Sequence, residues 1–260
     1  MIHIEKTPYA GWPHAYRLAN ASVELIVTGD VGPRIVAFGF AGEENEFHQI
    51  PDDLGKTGGD TWRIYGGHRF WYAPETLDRT YFPDNSPIQV ERLPDGLRLV
   101  QPVEPSTGIR KTIEIRLPPD EPVARLRHVL TNTGPAAVQA APWALTVLRA
   151  GGVAILPHPP RSHWPEPLLP SHTLTLWGYT RMSDPHWTWG DRYVLFRSDE
   201  QLSEPQKVGM WNTTGWMGYA RAGKLFVKHF AAPGEGDYPD LNCNTEMWAN
   251  EQSLELETLG

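Results

Sequence analysis

Ile88-Gln89-Val90-Glu91-Arg92-Leu93-Pro94-Asp95-Gly96-Leu97-Arg98-Leu99-Val100-Gln101-Pro102-Val103 decides the fold class, because two branched, apolar-rich runs meet at a short turn. Proline presets φ for the turn and glycine accepts a positive φ after it, so the stretch predicts a β-hairpin. The same grammar continues in both directions. Upstream, residues 23–27 and 35–40 flank Gly29-Asp30-Val31-Gly32-Pro33 and predict two strands meeting at a loop. Downstream, residues 109–117, 123–130, 138–148 and 153–156 are each bounded by Pro, Gly or Asn, which predicts four consecutive strands in a meander.

Residues 157–189 carry seven prolines among aromatics. Each proline removes a backbone donor, so this segment is expected to be a long ordered loop over a sheet edge or mouth. Strand texture returns at 192–197, 207–211, 217–220, 225–230, 244–248 and 253–259, and no stretch shows a capped amphipathic helical period. The expectation is an all-β chain, 1–260 as one domain, with about a dozen short strands and negligible helix.

Composition narrows the function. The net charge is −8, with Lys and Arg dispersed, so nothing resembles the footprint of a phosphate backbone and nucleic acid is not expected as a partner. The start of the chain lacks the apolar run of a signal peptide, and no stretch reaches the length of a membrane span. The single cysteine, Cys243, suits a reducing compartment, and a cytoplasmic location is expected. There is no Gly-rich phosphate loop, Gly-x-Ser-x-Gly elbow or paired-histidine motif, so neither cofactor nor metal is expected. Composition does not speak to the oligomeric state.

Eleven tryptophans are a heavy load, and Trp62, Trp71, Trp164, Trp177, Trp187, Trp189 and Trp216 sit beside Gly, Pro or polar residues. Any one ring is more often core filling. Together they predict a partly aromatic cleft, whose flat faces suit the C–H face of a pyranose. The densest polar cluster runs from Trp62 to Glu75. Its Gly66-Gly67 pair reads as backbone lying close to a ligand, with His68 and Arg69 as donors, and Trp71 and Glu75 follow. His68 also has the chemistry of an acid or base, while Arg69 and Glu75 equally read as a surface pair.

Near the end lie Asp237, Asp240, Glu246, Glu251, Glu255 and Glu257. Period two puts Glu255 and Glu257 on one face of a strand and Leu254 and Leu256 on the other, so the carboxylates face water or a cleft. Glu246 with Glu257 can form a carboxylate pair. Asp191 and Arg192, and Lys228, place charge against aromatics and read as ion pairs, cation–π contacts or ligand contacts.

Leu130-Thr131-Asn132-Thr133-Gly134-Pro135 through Val138 to Leu145, and the closing Leu254-Glu255-Leu256-Glu257-Thr258-Leu259-Gly260, resemble galactose-mutarotase-like, aldose 1-epimerase-like proteins. More closely, Gly66-Gly67-His68-Arg69-Phe70-Trp71, Ala141-Pro142-Trp143-Ala144-Leu145-Thr146, Trp189-Gly190-Asp191-Arg192-Tyr193 and that ending resemble an uncharacterised bacterial branch of the superfamily, DUF4380. The resemblance implies a β-supersandwich, a small-molecule carbohydrate as ligand, and a further turn and strand beyond Gly260. It implies Glu257 as the base on the anomeric hydroxyl. The acid's position, a histidine in the epimerases, falls on Trp143, which cannot transfer a proton this way. Trp143 then reads as a stacking residue, and His68 is the candidate for the acid. Three functions remain open: an epimerase-like isomerase, a non-catalytic sugar-binding protein, and a lyase or hydrolase on oligosaccharides.

Overall fold

The protein is described from a computed structural model, which covers every residue except Met1, Pro167, Ala232, Pro233 and Glu235. Pro167, one of the seven prolines of 157–189, thus lies outside the described residues. Strand accounts for 47% of the chain and helix for 2%, far from the roughly one-third helix of an average domain. Negligible helix is therefore what the structure shows. The chain forms two compact units, residues 1–146 and 147–260.

In the first unit, β1 (His3–Tyr9), β2 (Trp12–Ala19), β3 (Val23–Thr28), β4 (Arg34–Phe40) and β5 (His68–Ala73) are joined in that order, and the start of β10 (Ala141–Arg149) adds to β5. A second sheet is the meander β6 (Gln89–Leu93), β7 (Gly96–Val100), β8 (Ile109–Arg116) and β9 (Arg125–Asn132). The expected hairpin is thus β6–β7, with Leu93 opposite Gly96. Its glycine has a different reason from the one the turn suggested. Gly96 is not at a positive φ, and a Cβ there would overlap the carbonyl oxygen of Ile115 on β8. The position is glycine because the neighbouring backbone lies against it.

The meander expected over 109–156 is replaced by β6–β9. Alternation marks a segment as a strand, whereas turn length and burial choose its partner. β10 therefore joins β5, and β11 (Gly152–Pro157) pairs within the second unit. That unit also holds β12 (Leu174–Leu176), β13 (Trp187–Trp189), β14 (Tyr193–Ser198), β15 (Gln206–Met210), β16 (Trp216–Arg221), β17 (Lys224–His229), β18 (Thr245–Ala249) and β19 (Ser253–Leu259). The orders are β13-β14-β11-β16-β17 and β19-β18-β15-β12.

Nineteen strands among the described residues exceed the dozen expected. β12 and β13 occupy the Pro-rich segment read as loop, each only three residues long, with the prolines left outside their ladders. β5 was also missed. All six of its residues are buried, so it lacks the alternation of a half-solvated strand. Among the described residues no helix is long and apolar enough to cross a membrane.

Candidate functional site

The second unit brings three charged side chains together on one sheet face. Antiparallel pairing sets Glu246 of β18 opposite Glu257 of β19, Gly209 of β15 opposite Glu246, and Thr175 of β12 opposite Gly209. Directly opposed residues share a face, so these four form a row across four strands, joined by Lys207 two residues from Gly209. The Lys207 Nζ lies 2.7 Å from Glu246 Oε2 and 3.5 Å from Glu257 Oε2. The leucines on the opposite face of β19 are fully buried, yet Glu257 and Glu246 are each only 1% exposed and Lys207 6%. Both faces of β19 are covered, so its carboxylates look into protein rather than water.

Gly209 leaves room for a side chain to lie against the row. A Cβ there would stand 2.5 Å from Cys243 Sγ and 3.2 Å from the Trp177 ring. Without one, the half-buried Trp177 lies over the row, its ring centroid 4.6 Å from Lys207 Nζ. The Trp177 amide donates to Thr180 Oγ1, whose hydroxyl donates to the Lys207 carbonyl, so the covering segment is tied to β15. The Cys243 thiol donates to Thr175 Oγ1 at 3.2 Å.

Two carboxyls and one ammonium share a space from which water is excluded. Burial, and then the charge of Glu257, push the Glu246 carboxyl well above the usual carboxylate range, against the pull of Lys207. Burial works against the Lys207 ammonium, but Glu257 and Glu246 more than offset it and its pKa is raised. Burial pushes the Cys243 thiol up to about 11, which leaves it protonated and unreactive at neutral pH. The arrangement therefore sets a carboxyl that holds its proton more tightly than usual directly opposite a second carboxyl, with one ammonium in reach of both. Among the described residues no group of three or more His, Cys, Asp or Glu is placed to hold a metal ion.

Of the residues singled out in the sequence, Glu246 and Glu257 are brought together here. His68 belongs to the first unit, on β5, 2% exposed. Its Nδ1 lies 2.9 Å from Thr146 Oγ1 and its Nε2 2.8 Å from His128 Nε2, a spacing at which one ring donates and the other accepts. Trp143 and Trp71, opposite each other on β10 and β5, are buried with ring centroids 5.3 Å apart, and the Arg69 guanidinium stands 4.4 Å from the centroid of the Trp71 ring. Gly66 and Gly67 sit at φ 92° and 74°, where a Cβ would overlap the carbonyl oxygens of His48 and Ile35. Their close neighbour is backbone rather than ligand.

Glu75 is exposed and accepts a hydrogen bond from the Tyr81 hydroxyl. Asp191 pairs with Arg161 at 2.8 Å on the surface, and Arg192 is exposed beside it. Lys228 donates to the Leu256 carbonyl at 3.0 Å. The reading from sequence missed Lys207, Gly209, Thr175 and His128. One signal was present: a lysine in an otherwise buried strand requires a carboxylate partner.

No protein-family model matches the chain, and no curated protein matches it. Solved structures do. A galactose mutarotase-like protein from Lactobacillus casei ATCC 334 superposes with a TM-score of 0.61 at 12% identity, over 94% of this chain and 86% of that one. A TPR-domain containing protein from Parabacteroides distasonis ATCC 8503 gives 0.58 at 15% identity, over 94% of this chain and 42% of that one. A protein assigned as an aldose 1-epimerase from Escherichia coli K12 gives 0.51 at 12% identity, over 94% and 87%. Identities this low speak to architecture alone, and the architecture they share with this chain is the all-β fold of galactose-mutarotase-like proteins.

Proposed function

We propose that the chain binds a small carbohydrate at the Lys207–Glu246–Glu257 row, as a sugar-binding protein of the aldose 1-epimerase-like superfamily. The observation that carries this reading is the half-buried Trp177 ring lying over a buried polar row, with Tyr179, 44% exposed, two residues on. Carbohydrate sites combine an aromatic face for the apolar side of the ring with directional charged groups for the hydroxyls. The fold likeness and the Leu256-Glu257-Thr258 match support it, and the resemblance to the DUF4380 branch belongs to the same reading. In this reading the ligand is a free small molecule, neither nucleic acid nor membrane takes part, and the buried single thiol suits the cytoplasm.

The test is calorimetry on a panel of free aldoses, uronic acids and amino sugars at millimolar concentration, where binding is worth about 4 kcal/mol. At least one sugar should bind. Trp177→Ala should weaken it about fivefold, as expected when a stacking face worth roughly 1 kcal/mol is lost. Absence of heat and of any change in tryptophan emission across the panel would overturn the proposal.

A further inference from the structure

We propose that the half-exposed face of the sheet β13-β14-β11-β16-β17 carries a second binding site, which takes a small organic phosphate: a phosphoryl group on a compact apolar body. It lies on the sheet that does not carry the Lys207 row, and it does not depend on the carbohydrate reading of that row.

Register sets the floor of the site. Arg197 of β14 lies opposite Val153 of β11, Val153 opposite Ala220 of β16, and Ala220 opposite Leu225 of β17. Directly opposed residues share a face, so these four form one row across four strands. Ala154, Phe196 and Tyr219 alternate with them on the other face and are buried, whereas Leu225 is 56% exposed. The row lines a cavity of about 640 Å³, within the size range of small-molecule sites. Gly151 and Gly223 stand at its rim, and a Cβ on either would meet nothing within 4 Å, so the space over both turns is open.

Charge decides what fits there. Three cations line the cavity, Arg197, Arg221 and Lys224, against one carboxylate, Asp199, a local excess of two positive charges in a chain whose net charge is −8. Arg221 and Lys224 are directly opposed at the end of the β16–β17 hairpin, whose turn residues Ala222 and Gly223 both hold positive φ. That tight turn roots the two cations roughly 5 Å apart, close enough to converge on one phosphoryl group. Like charges set directly opposite cost stability that an anion beside them recovers. Arg197 donates from Nε to Asp199 Oδ2 at 2.8 Å, and Asp199 Oδ1 lies 3.1 Å from His186 Nε2, so the carboxylate is spread over two partners. The terminal amino groups of Arg197 make no hydrogen bond among the described residues, and a guanidinium edge suits two phosphate oxygens at once. Val153, Ala220 and Leu225 offer no polar side-chain atom, so the body that carries the phosphoryl group is apolar where it rests on them.

The probe is phenyl phosphate, with inorganic phosphate and phenol as its two halves, titrated by calorimetry into the whole protein at low salt. Phenyl phosphate should bind at one site with a dissociation constant of about a millimolar or below, at least severalfold more tightly than inorganic phosphate, and phenol should give no heat. Affinity should fall as sodium chloride is added, since the cations are partly exposed and screened. The double variant Arg221→Gln/Lys224→Gln should lose at least about tenfold. Leu225→Ser should weaken phenyl phosphate severalfold and leave inorganic phosphate unchanged, and Trp177→Ala should leave both unchanged. Thermal melts check that each variant is folded, and Arg197→Gln, on a separate strand, repeats the charge test if the hairpin variant is not. Absence of phenyl phosphate binding at millimolar concentration would overturn the proposal, as would undiminished binding in the charge variants or inorganic phosphate binding as tightly as the ester. Loss of the phosphate in Trp177→Ala would place the anion at the Lys207 row and overturn this site alone.

Discussion

Lys207→Met is expected to lower stability by about 3–5 kcal/mol, since it removes the one cation from a space holding two buried carboxyls. For a chain of this size that corresponds to a fall of about 10 °C in the unfolding midpoint. The deficit has a pH signature. Glu246 titrates in the folded protein above its ordinary value of 4.5, so the folded state keeps a proton that the unfolded chain releases. Its contribution is complete below the ordinary value and drains away as pH rises through the raised one. Lys207, raised in its turn, contributes stability that is complete below 10.5 and is lost only in more alkaline solution. Removing the ammonium leaves the carboxyls without compensation wherever they would ionise. The gap between variant and wild type should therefore be wider near pH 8 than near pH 4, about the range of ordinary carboxyl titration. Adding Glu257→Gln to Lys207→Met should recover much of the loss, and thermal melts of the four proteins at both pH values measure the coupling. Equal melting of Lys207→Met and wild type at both pH values would contradict the buried trio.

Gly67→Ala should cost about 3 kcal/mol or more. The residue stands at φ 74°, and the added Cβ would overlap the Ile35 carbonyl oxygen and lie 3.0 Å from the Val36 Cα, both of them backbone atoms that cannot swing aside. The comparison is Gly223→Ala, at φ 76° but with nothing within 4 Å of the new Cβ, where only the left-handed strain of about 1 kcal/mol applies. Urea denaturation with unchanged slope separates the two. The first substitution acts on the pairing of β4 with β5, where Ile35 lies opposite His68, so it should also disturb the His68 contacts to Thr146 and His128. Similar losses for both glycines would mean that chain conformation alone, and not the close strand approach, holds Gly67 in place.

Much of the fold is legible in local pattern. Proline and glycine punctuate the chain, and period two marks β3 and β8, because a strand with one buried face writes that face into alternate residues. The pattern fails where this condition fails. β5 is buried throughout and reads as a polar, aromatic cluster rather than a strand, and β1 is so exposed that its alternation carries little apolar signal. The short ladders β12 and β13 hide among prolines, since three residues need few donors.

By itself the sequence determined that the chain is β in texture and that Glu255 and Glu257 share a face, and it offered Glu246 with Glu257 as one carboxylate pair among six acidic residues near the end. These are local properties, set by turn chemistry and by the two-residue repeat of a strand. Only the tertiary structure decided that Lys207, fifty residues before Glu257, stands between the two carboxyls, and that Gly209 clears the space for Trp177. It also decided that both faces of β19 are buried. The reason is that cross-strand register joins residues distant in the chain, and no local periodicity encodes which strand will be the neighbour. The loss of water around Glu246, which raises its hold on a proton, likewise exists only once those strands are packed.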